Sequence, residues 1–114
     1  MTLRDKQSLF VMLVAQLIIT ATAHGDDLTF GEAYRSPEEA ARLAALGKGI
    51  VKSLHVQRLA IDLNLFKNGV YQTATEAYRP LGEWWVQQHE LCRWGGRFTK
   101  PDGNHFSLTH EGRS

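Results

Sequence analysis

The stretch "LAIDLNLFKNGVY" (Leu59 to Tyr71) constrains this chain more than any other. Ile61, Leu63 and Leu65 alternate with Asp62, Asn64 and Phe66, the two-residue period of a strand with one apolar and one mixed face. Asn68-Gly69 follows, and both residues tolerate the positive φ that a tight hairpin turn demands. A half-buried strand that reverses directly belongs to an antiparallel sheet with one face packed. The other face then carries a carboxylate, Asp62, at the head of the strand.

Helices are expected on either side. "SPEEAARLAALGKG" is the clearest: Ser36 is an N-cap, Pro37 occupies the first helical position, Glu38 and Glu39 suit the positive helix end, and Gly47 closes it. A second helix, capped by Thr75, is expected from Thr75 to about Leu91, with Leu81, Trp84, Trp85 and Gln88 at helical spacing and Gly95-Gly96 breaking the chain beyond it. "DDLTFGEAYR" reads as a short strand entering a loop, with Leu28 and Phe30 on one face. Pro101-Asp102-Gly103 is a turn that feeds a last short strand. These elements make one α+β domain over residues 1–114, a small antiparallel sheet packed with helices.

Residues 1–25 admit two readings. Arg4 and Lys6, the apolar run Leu9 to Ile19 and "ATA" at 21–23 have the layout of a signal peptide. Against that, Gln7 and Gln16 interrupt the run, Asp5 interrupts the basic segment, and Phe10, Leu13, Val14, Leu17, Ile18 and Ala21 form a core-facing helical stripe. We read the segment as the first helix of the domain. The run itself is too short for a mature membrane span, so no stable membrane insertion is expected.

Composition narrows the function. A net charge of +1 gives no electrostatic case for nucleic acid. The single cysteine, Cys92, rules out an internal disulfide and any Cys-rich zinc site, and fits a reducing compartment. "GKGIVKS" lacks the spacing of a phosphate-binding loop. A hydrolytic metal site needs three His, Asp or Glu ligands, an open position and a nearby carboxylate. His89-Glu90 lacks the second His of a helical zinc motif, since Arg93 stands there, and His24 and His110 have no evident partners. His55 with Asp62, and Asp102 with His105, remain: each is alone an ordinary polar residue at a strand end, and the first pair converges only if the chain bends between Val56 and Leu59.

Taken together, "SLHVQRLAIDLNLF" and "WGGRFTKPDGNHF" resemble the zinc D-alanyl-D-alanine carboxypeptidase and L-alanyl-D-glutamate endopeptidase family, with the hedgehog/DD-peptidase fold found in vancomycin-resistance dipeptidases and many phage endolysins. The matching residues are Ser53, His55 and Asp62; Trp94, Gly95, Gly96 and Phe98; and Asp102 and His105. "GEAYRS" (Gly31 to Ser36) resembles the family's Tyr-Arg-Ser segment, and the likeness runs from about Leu28 to Phe106. One position departs: Arg58 stands where the family has a glycine, and the loop there is expected to differ most from the family.

The resemblance implies that His55, Asp62 and His105 hold Zn2+, whose bound water falls from a pKa of about 16 toward roughly 7. It implies that Asp102 moves the proton, that Arg35 binds a substrate carboxylate or the developing oxyanion, and that Ser53 bonds the substrate backbone, with Asn64 or backbone carbonyls orienting the histidines. It further implies a monomeric hydrolase of peptidoglycan stem peptides: an L-Ala-D-Glu endopeptidase of a phage or prophage, held in the host cytoplasm until lysis and then attacking the periplasmic wall. The alternatives are a D-Ala-D-Ala carboxypeptidase, a non-catalytic zinc-binding module of the same fold, and secretion to the periplasm if residues 1–23 are a signal peptide.

Overall fold

The computed structural model describes residues 1–114. Helix α1 (Leu3–Ala23) opens the chain, and the Asp5 that interrupts the basic segment has a structural use. The Thr2 side chain accepts the Asp5 N–H and the Asp5 carboxylate accepts the Thr2 N–H, a capping box that satisfies two orphan donors. Phe10, Leu13, Val14, Leu17 and Ala21 are buried as the stripe requires, with Ile18 half-buried beside them. At 21 residues the whole helix is long and apolar enough to cross a bilayer, which the Leu9–Ile19 run alone did not indicate.

Strands β1 (Asp27–Phe30), β2 (Ala60–Lys67), β3 (Val70–Tyr71), β4 (Cys92–Trp94) and β5 (His105–Leu108) form one antiparallel sheet in the order β1-β2-β5-β4, with β3 paired to the end of β2. Asn68 (φ 51°) and Gly69 (φ 77°) make the β2–β3 turn with both residues left-handed, the geometry of a type I′ hairpin. Ile61, Leu63 and Leu65 are buried on the apolar face together with Phe106, Leu108, Cys92 and Trp94. Helices α1 and α3 (Arg79–Gln88) pack on this side, where Trp85 is fully buried edge-on against both Phe10 and Phe106. Burial pushes the Cys92 thiol up to about 11, so it is an inert core residue. Helix α2 (Pro37–Ala45) has the expected Ser36 cap, with Gly47 left-handed just past its end.

Three details differ from expectation. The segment from Thr75 is not one helix: Thr75–Tyr78 is a 3-10 turn with Ala74 as its uncapped start, and α3 begins only at Arg79 and ends at Gln88. Pro80 explains the break, because it lacks an N–H and would clash with the carbonyl four residues back. Tyr78 fixes the turn, its hydroxyl accepting the Leu65 N–H (3.1 Å) and donating to the Gln72 carbonyl (2.8 Å). Cys92–Trp94, expected only as the run-out of a helix, is strand β4. Phe30 is 71% exposed even though it shares the strand face of half-buried Leu28, because it borders an open apolar groove against α1.

Candidate metal centre

Asp62 and His105 stand directly opposite each other in the β2–β5 ladder, so their side chains project from the same face of the sheet. That face is the one not covered by α1 and α3. His55 arrives from the preceding loop, which bends as the spacing required. The Ser53 Oγ accepts the His55 N–H (3.2 Å), and the Arg58 and Leu59 N–H groups donate back to the carbonyls of His55 and Leu54. Arg58 takes the left-handed conformation (φ 58°) at the position where glycine was expected, and its guanidinium stacks 4.1 Å from the centre of the Tyr34 ring. The loop therefore makes a glycine-type turn with an arginine. Stacking offsets part of the roughly 1–2 kcal/mol that a side chain costs there.

The third residue is positioned by a chain of backbone bonds. Asp102 N–H donates to Gly95 O (2.8 Å), His105 N–H donates to Asp102 O (3.1 Å), and the Trp94 indole N–H donates to Gly103 O (2.7 Å). Gly95 is required for this packing, since a Cβ there would collide with the Asp102 carbonyl and lie 2.8 Å from the His105 Cβ. Sequence reading named the Trp-Gly-Gly segment but not this reason for it.

His55 Nε2 and His105 Nδ1 each lie 3.4 Å from the same oxygen, Asp62 Oδ1, and the three ligand atoms fall within 4.8 Å of one another. Both imidazoles are buried, and Asp62 Oδ1 is buried with no hydrogen-bond partner of good geometry. A buried polar atom left in that state calls for an explanation. Tetrahedral zinc ligands at about 2.0–2.1 Å from the ion stand roughly 3.3–3.4 Å apart, so the two His–Asp spacings and the donor set fit zinc. Burial raises the Asp62 pKa, but the facing imidazoles of His105 and His55 outweigh it and hold the carboxyl down at about 2. Asp102 moves the other way: burial and the Asp62 charge raise its pKa against the pull of His105 and His55. Its Oδ2 lies 3.9 Å from His105 Nδ1 and the side chain is half exposed. Two carboxylates with opposite shifts in one cleft suit one ligand and one proton carrier.

Arg35 sits on the opposite flank, its Nη2 2.6 Å from Glu32 Oε1. Asn64, expected to orient a histidine, instead accepts a hydrogen bond from the Asn104 amide (3.2 Å). The carboxylate that approaches the back of a ligand is Glu32, with Oε1 3.5 Å from His55 Nδ1, a residue that sequence reading passed over. Beyond Asp102 lies a polar cavity of roughly 210 Å3 lined by Gln72, Thr73, Thr75 and Asn104 among others. A larger groove of about 510 Å3, between α1 and residues 30–34, is almost wholly apolar and holds none of the site's polar groups.

Comparison with known proteins gives a family match and a likeness in fold. A family model described as D-alanyl-D-alanine carboxypeptidase matches residues 47–108. No curated protein sequence matches the chain. Among solved structures, the L-Ala D-Glu endopeptidase ChiX of Serratia marcescens is similar in fold, with a TM-score of 0.63 at 24% identity; the match covers 72% of this chain and 66% of that one.

Proposed function

Since the chain belongs to the D-alanyl-D-alanine carboxypeptidase family, we propose that it is a zinc-dependent peptidase that hydrolyses amide bonds in peptidoglycan stem peptides. The observation that carries the reading is the convergence of His55 Nε2 and His105 Nδ1 on Asp62 Oδ1 with Asp102 beside them. His55, Asp62 and His105 would hold the ion. When bound, zinc polarises a carbonyl and acidifies water.

The remaining chemistry falls to this chain's own side chains. Asp102, half exposed and with a raised pKa, accepts the proton of the attacking water at Oδ2 and returns it to the leaving nitrogen. The residue that departs then lies over the polar cavity beside Asp102, whose hydroxyls and amides suit a peptide backbone. Arg35, across the cleft, offers a fixed positive charge to the oxyanion or to a substrate carboxylate. Ser53 is buried, with its Oγ accepting the His55 N–H, so its contribution to substrate runs through the shape of the loop and its remaining hydroxyl proton.

Endopeptidase action at L-Ala-D-Glu is the preferred activity within this proposal, by likeness to the Serratia enzyme, and D-Ala-D-Ala carboxypeptidase action is its alternative. A phage or prophage lysis role, with the chain held in the host cytoplasm as a monomer, belongs to the same proposal. The core side chains supplied by α1 support retention of residues 1–23, on which the cytoplasmic part of the proposal rests, because their removal would strip Phe10, Leu13, Val14, Leu17 and Ala21 from the fold. Fractionation with N-terminal sequencing checks it; a mature chain starting at His24 would overturn it. For the chemistry, Asp102→Ala is expected to retain zinc and lose cleavage of purified wall, while His105→Ala loses both. Full activity in Asp102→Ala refutes the assignment.

A further inference from the structure

Glu32 lies just past β1, where the ladder to β2 becomes irregular. Gly31 N–H donates to Asp62 O (2.8 Å), but Asp62 N–H donates to the carbonyl of Glu32 (2.9 Å), so two residues oppose one. A regular strand would turn residue 32 away from the face that carries Asp62; the bulge re-aims it. Gly31 makes the close approach workable, since a Cβ there would meet the Asp62 Cβ at 3.0 Å and its carbonyl oxygen at 3.1 Å. The Glu32 carboxylate thereby reaches two site residues at once: Arg35 Nη2 at 2.6 Å and His55 Nδ1 at 3.5 Å.

His55 Nδ1 is buried and has no hydrogen-bond partner, while Nε2 on the far side of the ring faces Asp62 Oδ1. A buried imidazole N–H without an acceptor costs about 1–3 kcal/mol. Glu32 stands close enough to remove that cost, and a closure of about half an ångström brings the pair to the length of a charge-assisted hydrogen bond. We propose that Glu32 is a positioning residue. It accepts the Nδ1–H of His55, which fixes the tautomer with Nε2 unprotonated and aimed into the metal position, and it holds Arg35 in the same gesture. The inference rests on the zinc reading above and adds to it the residue that orients one ligand and couples the metal flank to the cationic flank.

The test compares wild type, Glu32→Gln and Glu32→Ala. Zinc affinity is read by competition with a chromogenic chelator, ligand geometry by the visible spectrum of the cobalt-substituted protein, and folding by thermal unfolding in EDTA. Glu32→Ala is expected to weaken zinc by about 10–100-fold and to alter the cobalt spectrum. Glu32→Gln keeps an oxygen for Nδ1–H but loses the charge beside Arg35. It is therefore expected to recover most of the zinc affinity and the spectrum while KM for muropeptides rises. Zinc binding as tight in Glu32→Ala as in wild type, with an unchanged spectrum, overturns the role even if activity falls. Should Glu32→Ala fail to fold, Glu32→Gln decides: zinc weakened as far as 100-fold with the oxygen still present overturns it. A wild-type protein that binds no zinc overturns the metal reading itself, an outcome distinct from either.

Discussion

Gly95→Ala puts one methyl group into the joint that carries both the proton carrier and a metal ligand. The new Cβ would stand 2.8 Å from the His105 Cβ and 3.1 Å from the Asp102 carbonyl carbon, with the carbonyl oxygen nearer still. Carbon atoms rest at about 3.5–4.0 Å, so the contact to His105 alone must open by about 1 Å. The Asp102 N–H is bonded to the Gly95 carbonyl at 2.8 Å, so the two segments cannot separate without breaking that bond. Overpacking of this kind costs about 1–3 kcal/mol of stability, and a displacement near 1 Å at reacting groups costs on the order of 100-fold in rate. The variant should unfold several degrees below wild type in EDTA, bind zinc more weakly and cleave muropeptides about 100-fold more slowly. The assay is initial-rate digestion followed by chromatography, with chelator competition for zinc. A variant that cleaves at the wild-type rate would refute the claim that the Gly95 joint sets the site's geometry.

Arg58→Gly removes a left-handed side chain costing about 1–2 kcal/mol and a stack on Tyr34 worth about 0.5–1 kcal/mol, so urea denaturation should show a small net gain. A loss above about 1 kcal/mol would mean the arginine does more than tolerate its turn. The Asp62 carboxyl, held near 2 against an ordinary 3.8, contributes about 2 kcal/mol to the metal-free fold. A lowered folded value means this contribution is present above about pH 4 and lost as pH falls toward 2. Stability measured across that window should fall in wild type and stay flatter in Asp62→Asn; equal slopes would contradict it. Trp85→Phe removes the indole N–H that the carbonyls of Arg93 and Ser107 now share at 3.0 and 3.2 Å and leaves a gap in the core, and is expected to cost about 1–3 kcal/mol by thermal unfolding with zinc binding retained.

Local rules place Asp62 and His105 at strand ends, whereas the grouping of His55, Asp62 and His105 as ligands comes from the family resemblance. The alternation through Asp62 assigns its face, the Asn68-Gly69 pair reverses the strand, and the Pro-Asp-Gly turn brings His105 into register with Asp62. What escapes is set by contacts distant in sequence. Glu32 reaches the site only because of a bulge against Asp62, which no property of "FGEAYR" alone announces. The 3-10 turn at Thr75–Tyr78 is held by Tyr78 against Leu65 and Gln72, though Pro80 was a local sign that the helix could not begin at Thr75. Strand β4 is three residues long, and its pairing with β5 supplies the only period it has. Arg58 shows the converse: the departure from the family's glycine is visible in the sequence, whereas its left-handed conformation braced by Tyr34 is visible only in the structure.

The central claim is that His55, Asp62 and His105 hold the zinc on which cleavage of wall peptides depends. Mass spectrometry of purified peptidoglycan digested by the wild-type protein, by protein stripped with a chelator, and by stripped protein given back one equivalent of zinc tests it most directly. Zinc-dependent cleavage yields new stem-peptide fragments in the first and third digests and none in the second, with the fragment masses identifying the bond. Equal fragments from the stripped protein, or none under any condition, would contradict it.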